Sequence, residues 1–214
     1  MHRTKVKICG ITSKEQAIEI SRLGADAIGF ILYPPSPRYI EPEKVKQIIC
    51  AIPPFVKTVG VFVNENPEKL ISIKHSTGLD LIQLSGDETA DYTRDLEENS
   101  IPIIKAFRIK NKSDLKNLEF FPATTFLLDA WSDKEYGGTG KTFDWRLLAE
   151  IKQKYEIILA GGLNPENIKQ AIHSVQPYGV DISSGVEEKP GIKSIEKLKL
   201  LFERIKEADL SLNF

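Results

Sequence analysis

Ala27-Ile28-Gly29-Phe30-Ile31-Leu32 carries no polar side chain. A strand with one face in water alternates apolar and polar residues, whereas a strand buried on both faces does not. The run therefore predicts a strand covered on both sides, and with it a parallel sheet. Thr125-Phe126-Leu127-Leu128 reads the same way. Outward from these two runs, short β-rich stretches alternate with longer amphipathic ones. Strands are expected near 4–9, 26–32, 56–63, 79–84, 102–107, 124–129, 156–160 and 179–183. Helices are expected near 13–23, 41–51, 67–76, 88–99, 111–118, 143–154, 164–174 and 193–207.

Helix punctuation supports this count. Thr12 or Ser13 can cap a first helix whose apolar positions are Ala17, Ile18, Ile20 and Leu23, with Gly24 as its stop. Glu41-Pro42-Glu43, Asn66-Pro67-Glu68 and Asn164-Pro165-Glu166 place a proline at the first helical position. Eight β–α units in 214 residues average about 27 residues each, close to a minimal unit. The pattern predicts an α/β fold, a single compact (β/α)8 barrel over residues 1–214, with 207–214 as a loose tail. An open doubly wound sheet would want a glycine-rich fingerprint after its first strand. Cys9-Gly10-Ile11-Thr12 is not one.

Composition narrows the function. Net charge is −1, from 29 Lys+Arg against 30 Asp+Glu, which offers no electrostatic case for nucleic acid or an anionic membrane. No apolar run approaches the roughly 20 residues of a membrane span, and two cysteines do not make a disulfide framework. A cytoplasmic protein is expected. The three histidines are scattered and form no cluster with metal-ligand spacing.

Several residues stand out against their ordinary readings. Cys9 ends the first apolar run just before Gly10, at the strand edge where parallel α/β folds bind ligands. It is either a small inert hydrophobe or a catalytic group. Asp129 follows four residues of strand and is either a turn residue or a general acid raised by apolar surroundings. Arg38 lies in Tyr33-Pro34-Pro35-Ser36-Pro37-Arg38-Tyr39, a loop stiffened by three prolines. It is either solvated or set to grip a carboxylate by its fork. Gly137-Gly138-Thr139-Gly140-Lys141-Thr142 fails the P-loop spacing, since position 135 is Glu135, and reads as a glycine-rich lid. Gly161 and Gly162 after the seventh strand, with Ser183, Ser184 and Gly185 after the eighth, suit a phosphate cradle of backbone N–H groups.

Taken in order, these motifs resemble the phosphoribosylanthranilate isomerase family. The matching segments are Lys7 to Thr12, Ser36-Pro37-Arg38, Val61 to Asn64, Gln83 to Glu88, Leu128-Asp129, Gly137 to Gly140, Ala160 to Leu163 and Asp181 to Glu187. The resemblance implies a (β/α)8 barrel of tryptophan biosynthesis, an aldose-ketose isomerase performing an Amadori rearrangement without metal or organic cofactor. It implies Cys9 as general base, Asp129 as general acid and Arg38 on the anthranilate carboxylate. The loops at Gly161-Gly162 and Ser183-Ser184-Gly185 would bind phosphate, with Asp181 beside the sugar hydroxyls. The expected partner is the small-molecule substrate phosphoribosylanthranilate, with no nucleic acid and no membrane. Monomer and homodimer both stay open. Ser85 stands where the family shows histidine, and Ser194 stands where it shows aspartate. Two other readings compete: a different sugar-phosphate isomerase or epimerase barrel, and a non-catalytic phosphate-ligand-binding barrel.

Overall fold

A computed structural model describes residues 3–122, 125–130, 144–148, 151 and 153–212. Eight parallel strands close into a barrel: β1 (Lys5–Cys9), β2 (Ala27–Ile31), β3 (Lys57–Phe62), β4 (Leu81–Leu84), β5 (Ile103–Ile109), β6 (Thr125–Ala130), β7 (Glu156–Leu159) and β8 (Gly179–Ile182). Each strand pairs with the next, and β1 pairs with β8 through Lys7↔Asp181 and Ile8↔Ile182 to shut the ring. The opening run explains itself here. Ile28 and Phe30 of β2 are fully buried outward, against the helical layer, while Ala27 packs inward with Val59, Leu81, Ile104, Leu127 and Ile158. Both faces of the strand are covered, so neither can be polar.

The helices are α1 (Lys14–Leu23), α2 (Pro42–Ile49), α3 (Pro67–Thr77), α4 (Ala90–Glu98), α5 (Ile168–Val175) and α6 (Ile195–Leu212). Ser13, not Thr12, caps α1, accepting from the Gln16 amide at 3.3 Å, and Gly24 closes it in the left-handed region at φ 106°. Asn66 caps α3 at the Lys69 amide, while Glu41 makes no side-chain cap to α2.

Four expectations need correction. The stretch expected as a helix at 111–118 is a 3-10 helix, Lys112–Phe120. Its buried residues, Leu115 and Leu118, are three apart, a spacing that suits three residues per turn as well as 3.6. The expected helix at 143–154 contains a 3-10 turn at Trp145–Leu148, with part of the span outside the described residues. Asn164-Pro165 opens a turn rather than α5 itself. The Asn164 side chain accepts from the Glu166 and Asn167 amides at 2.9 and 3.0 Å, and α-helix begins at Ile168. Finally, the tail expected over 207–214 is helical from 207 to Leu212, where α6 ends. Leu198, Leu201, Ile205 and Ala208 continue one buried stripe, and Asp209 accepts from the Thr4 amide at 2.9 Å and hydroxyl at 2.6 Å.

One element was not anticipated. After β8, a 3-10 turn (Ser184–Val186) leads into an antiparallel hairpin, β9 (Glu187–Lys189) with β10 (Ile192–Lys193), turned at Pro190-Gly191 with Gly191 at φ 80°. Two of its four charged residues, Glu187 and Lys193, are buried.

Candidate active site

At the carboxyl ends of the strands lies a cleft open to solvent at its mouth. Cys9, Arg38, Asp129, Gly161, Gly162, Asp181, Ser183 and Ser184 all line it. Gly185 sits just behind: a Cβ there would fall 2.0 Å from the Leu163 carbonyl oxygen, so only glycine lets the loops after β7 and β8 touch. The Gly137–Gly140 lid reading falls outside the described residues.

Strand alternation sets the floor. Lys7 and Cys9, two apart on β1, point inward, and Cys9 stands opposite Gly29 of β2. A Cβ on Gly29 would lie 2.8 Å from the Cys9 Sγ and 3.1 Å from the Lys7 Nζ. The missing side chain is the space both groups occupy. Lys7 Nζ donates to Asp181 Oδ1 at 2.8 Å, and both side chains are almost wholly buried. Burial pulls the Lys7 ammonium down, but Asp181 and Cys9 more than reverse this, so it is held above the ordinary lysine value. Burial pushes the Cys9 thiol up; Lys7 and Lys193 pull it back only in part. Cys9 therefore rests as a thiol at neutral pH.

Arg38 is buried, which excludes the solvated reading. Its fork is already engaged: Nε lies 3.0 and 3.1 Å from the two Glu187 carboxylate oxygens and Nη2 lies 2.8 Å from Oε2. The same carboxylate accepts from Lys193 Nζ at 2.8 Å and from the Gly191 amide at 3.1 Å. The hairpin thus holds Arg38 at the cleft wall. Two of its nitrogens, Nε and Nη2, are committed to Glu187.

Asp129 faces inward above Leu127, directly opposite Arg108 of β5. The apolar setting expected for it is thus partly polar, because β5 continues to Ile109 and brings Arg108 into the cleft beside it. Arg108 also pairs with Asp87. The Gly161-Gly162 turn has both residues at positive φ, 90° and 61°, and the Asn167 side chain donates to the Gly162 carbonyl at 2.9 Å. Ser85 accepts from Gln83 Nε2 at 3.0 Å, and Gln83 Oε1 is buried with no partner among the described residues. Ser194 lies buried at the head of α6, its carbonyl accepting from the Leu198 amide.

Sequence reasoning passed over Lys7, Arg108, Glu187 and Lys193. Only Lys7 left a usable signal, its two-residue spacing from Cys9.

A closed parallel barrel with an acid, a thiol, cations and a doubled glycine-serine loop at its carboxyl face defines a (β/α)8-barrel enzyme for a small anionic ligand. The family model for N-(5'phosphoribosyl)anthranilate (PRA) isomerase matches residues 6–204. The chain belongs to that family. It is 47% identical over 205 residues to the N-(5'-phosphoribosyl)anthranilate isomerase of Trichlorobacter lovleyi, covering 95% of this chain and 98% of that one. Its fold matches the Thermotoga maritima phosphoribosyl anthranilate isomerase with a TM-score of 0.88 and 42% identity, over 95% and 99% of the two chains. Monomers derived from the dimeric T. maritima enzyme match with a TM-score of 0.85 and 40% identity, over 95% and 99% of the chains. Equal figures hold for a phosphoribosyl anthranilate isomerase in complex with reduced 1-(o-carboxyphenylamino)-1-deoxyribulose 5-phosphate.

Proposed function

We infer that this chain isomerises N-(5'-phosphoribosyl)anthranilate to 1-(2-carboxyphenylamino)-1-deoxyribulose 5-phosphate in tryptophan biosynthesis. The observation that carries the reading is the placement of Cys9 and Asp129 in one cleft, on β1 and β6 of the ring. Asp129, protonated, gives its proton to the ribose ring oxygen as the C1′–O bond breaks, leaving an iminium at C1′. Cys9 first releases its thiol proton to solvent, and the thiolate then takes the proton from C2′, which that iminium acidifies. The resulting enolamine tautomerises to the ketone. A general acid and a general base on different strands meet the two demands of the reaction.

Arg38, fixed by Glu187, meets the anthranilate carboxylate at the cleft wall. Gly161, Gly162, Ser183, Ser184 and Gly185 hold the phosphate with backbone N–H groups and hydroxyls. Asp181 lies beside the sugar hydroxyls while anchoring Lys7. The test is loss of anthranilate-type fluorescence, with the substrate made in situ. Cys9→Ala and Asp129→Ala should each lower kcat by at least about 10²-fold, the usual worth of acid–base catalysis. Near-wild-type turnover in either would remove that residue from the mechanism.

We also propose that two copies associate through the opposite, amino-terminal face of the barrel. Phe55, in the loop before β3, is 97% exposed and borders a largely apolar hollow lined by Ala27, Val59, Leu81, Ile104 and Ile158. A knob and a hole on one face are what a two-fold interface needs. No helix among the described residues is long and apolar enough to cross a membrane. Free thiols at Cys9 and Cys50 suit a cytoplasmic setting.

A further inference from the structure

The Lys7–Asp181 pair is an unusual object at this depth. It crosses from β1 to β8 within the barrel, and the inward layer below it is built of Val59, Ile104, Leu127 and Ile158. Buried ion pairs add little stability over apolar residues of similar volume, so stability alone is a weak reason to place one here. The geometry supplies a better one. Lys7 and Cys9 share one face of β1, and the bare backbone of Gly29 lets Sγ and Nζ converge on the same spot. An ammonium has three N–H donors, and Asp181 takes one of them at 2.8 Å.

We propose that Lys7, anchored by Asp181, is a positioning residue for catalysis: its ammonium is the counter-ion beside which the Cys9 thiolate forms. This rests on the reading of Cys9 as the base. Lys7 from β1 and Lys193 from β10 favour the thiolate, and Asp181 from β8 opposes it. Gly29 of β2 brings no charge. Arg38, Arg108 and Asp129 stand around the same cleft. Asp181 therefore acts twice, holding the ammonium in place while opposing the negative charge on sulfur.

Those two effects make the proposal testable, because the two substitutions have opposite signs. The measurement is the rate of Cys9 alkylation by iodoacetamide against pH, in full-length protein carrying Cys50→Ser to silence the exposed second cysteine. This readout reports the thiolate directly and needs no turnover, since the thiolate is the reacting form. Lys7→Met should move the inflection up by about one pH unit, slowing alkylation at pH 7 roughly tenfold. Asp181→Asn should move it down. Lys7→Arg keeps the charge and should restore most of the wild-type profile. In steady state, kcat of Lys7→Met should fall at pH 7 and recover in alkali, with KM little changed.

Unchanged inflections, or shifts of the same sign in Lys7→Met and Asp181→Asn, would overturn the proposal, since a purely structural pair would be hurt alike from either side. If Lys7→Met does not fold by near-UV circular dichroism, Lys7→Gln takes its place, and an upward shift is required. Failure of the underlying reading looks different. Cys9→Ala would then turn over normally, whatever the alkylation profiles show.

Discussion

Glu187→Gln tests how the hairpin after β8 works. The wild-type carboxylate receives Arg38 through Nε and Nη2, Lys193 at 2.8 Å and the Gly191 amide at 3.1 Å. Side-chain exposures are 9% for Arg38, 5% for Glu187 and 0% for Lys193. The substitution keeps the shape but leaves two buried cations facing a neutral amide. Removing one partner of a buried pair costs about 3–5 kcal/mol. An amide oxygen still accepts one hydrogen bond, so the lower end, about 3 kcal/mol, is expected. For a domain of this size about 2–4 °C accompanies each kcal/mol, so Tm should fall by about 6–12 °C at pH 7.

The pH dependence gives an independent check on the same residue. Burial would raise the Glu187 carboxyl, but the Arg38 and Lys193 hydrogen bonds outweigh it and hold it below the usual glutamate range. A group lowered by folding stabilises fully above its unfolded value, about 4.3 for glutamate. That contribution is lost as pH falls towards the folded value. The Tm gap between wild type and Glu187→Gln should be full at neutrality and narrow in acid below about pH 4. Thermal unfolding by circular dichroism, at matched scan rates across the pH series, measures both. A gap under about 2 °C at pH 7, less than 1 kcal/mol, would refute the reasoning, as would a gap that does not close in acid.

Gly185→Ala drives a Cβ against the Leu163 carbonyl, a backbone atom that cannot rotate away. It should part the loops after β7 and β8 and raise KM at least about tenfold, the equivalent of one lost hydrogen bond to a charged group; an unchanged KM would separate these loops from phosphate binding. Phe55→Glu puts a charge on the exposed knob of the amino-terminal face. Sedimentation should show the wild type as a dimer and the variant as a monomer of unchanged activity, and a monomeric wild type would end the self-association proposal.

The barrel was legible because its cause is local. A strand buried on both faces tends to be apolar throughout, and two such runs within eight alternating β–α units punctuated by helix signals leave few architectures. The helical layer was harder. Leu115 and Leu118 satisfy two helical periods at once. Asn164-Pro165-Glu166 has the composition of a helix start yet spends its side chain on a turn. The stripe through Ile205 and Ala208 was cut short because a polar, charged ending looks like a tail until Asp209 is seen holding Thr4. At the site, the residues at strand ends could be named from sequence because an apolar run points to its own last member. Their partners could not. Lys7 and Asp181 are 174 residues apart, and Arg38 and Glu187 are 149 apart; nothing in either local pattern encodes the other.

Those long-range pairs also explain how a chain with net charge −1 can receive a doubly anionic substrate. Lys7 and Asp181 cancel. Arg38 and Lys193 share the single carboxylate of Glu187, so that corner keeps one net positive charge, buried where it is little screened. Attraction for an anion is thus built from a deliberate shortage of carboxylates at one spot, which composition cannot reveal. The arrangement divides the labour by rigidity. The proposed acid Asp129, the proposed base Cys9 and its proposed counter-ion Lys7 sit on barrel strands, where position is fixed by the ladder. The groups proposed to meet carboxylate and phosphate sit on the loops above, held by side-chain hydrogen bonds such as Arg38 to Glu187 and Asn167 to Gly162. Proton transfer tolerates far less displacement than ion pairing does, so the tighter tolerance falls on the stiffer part of the fold.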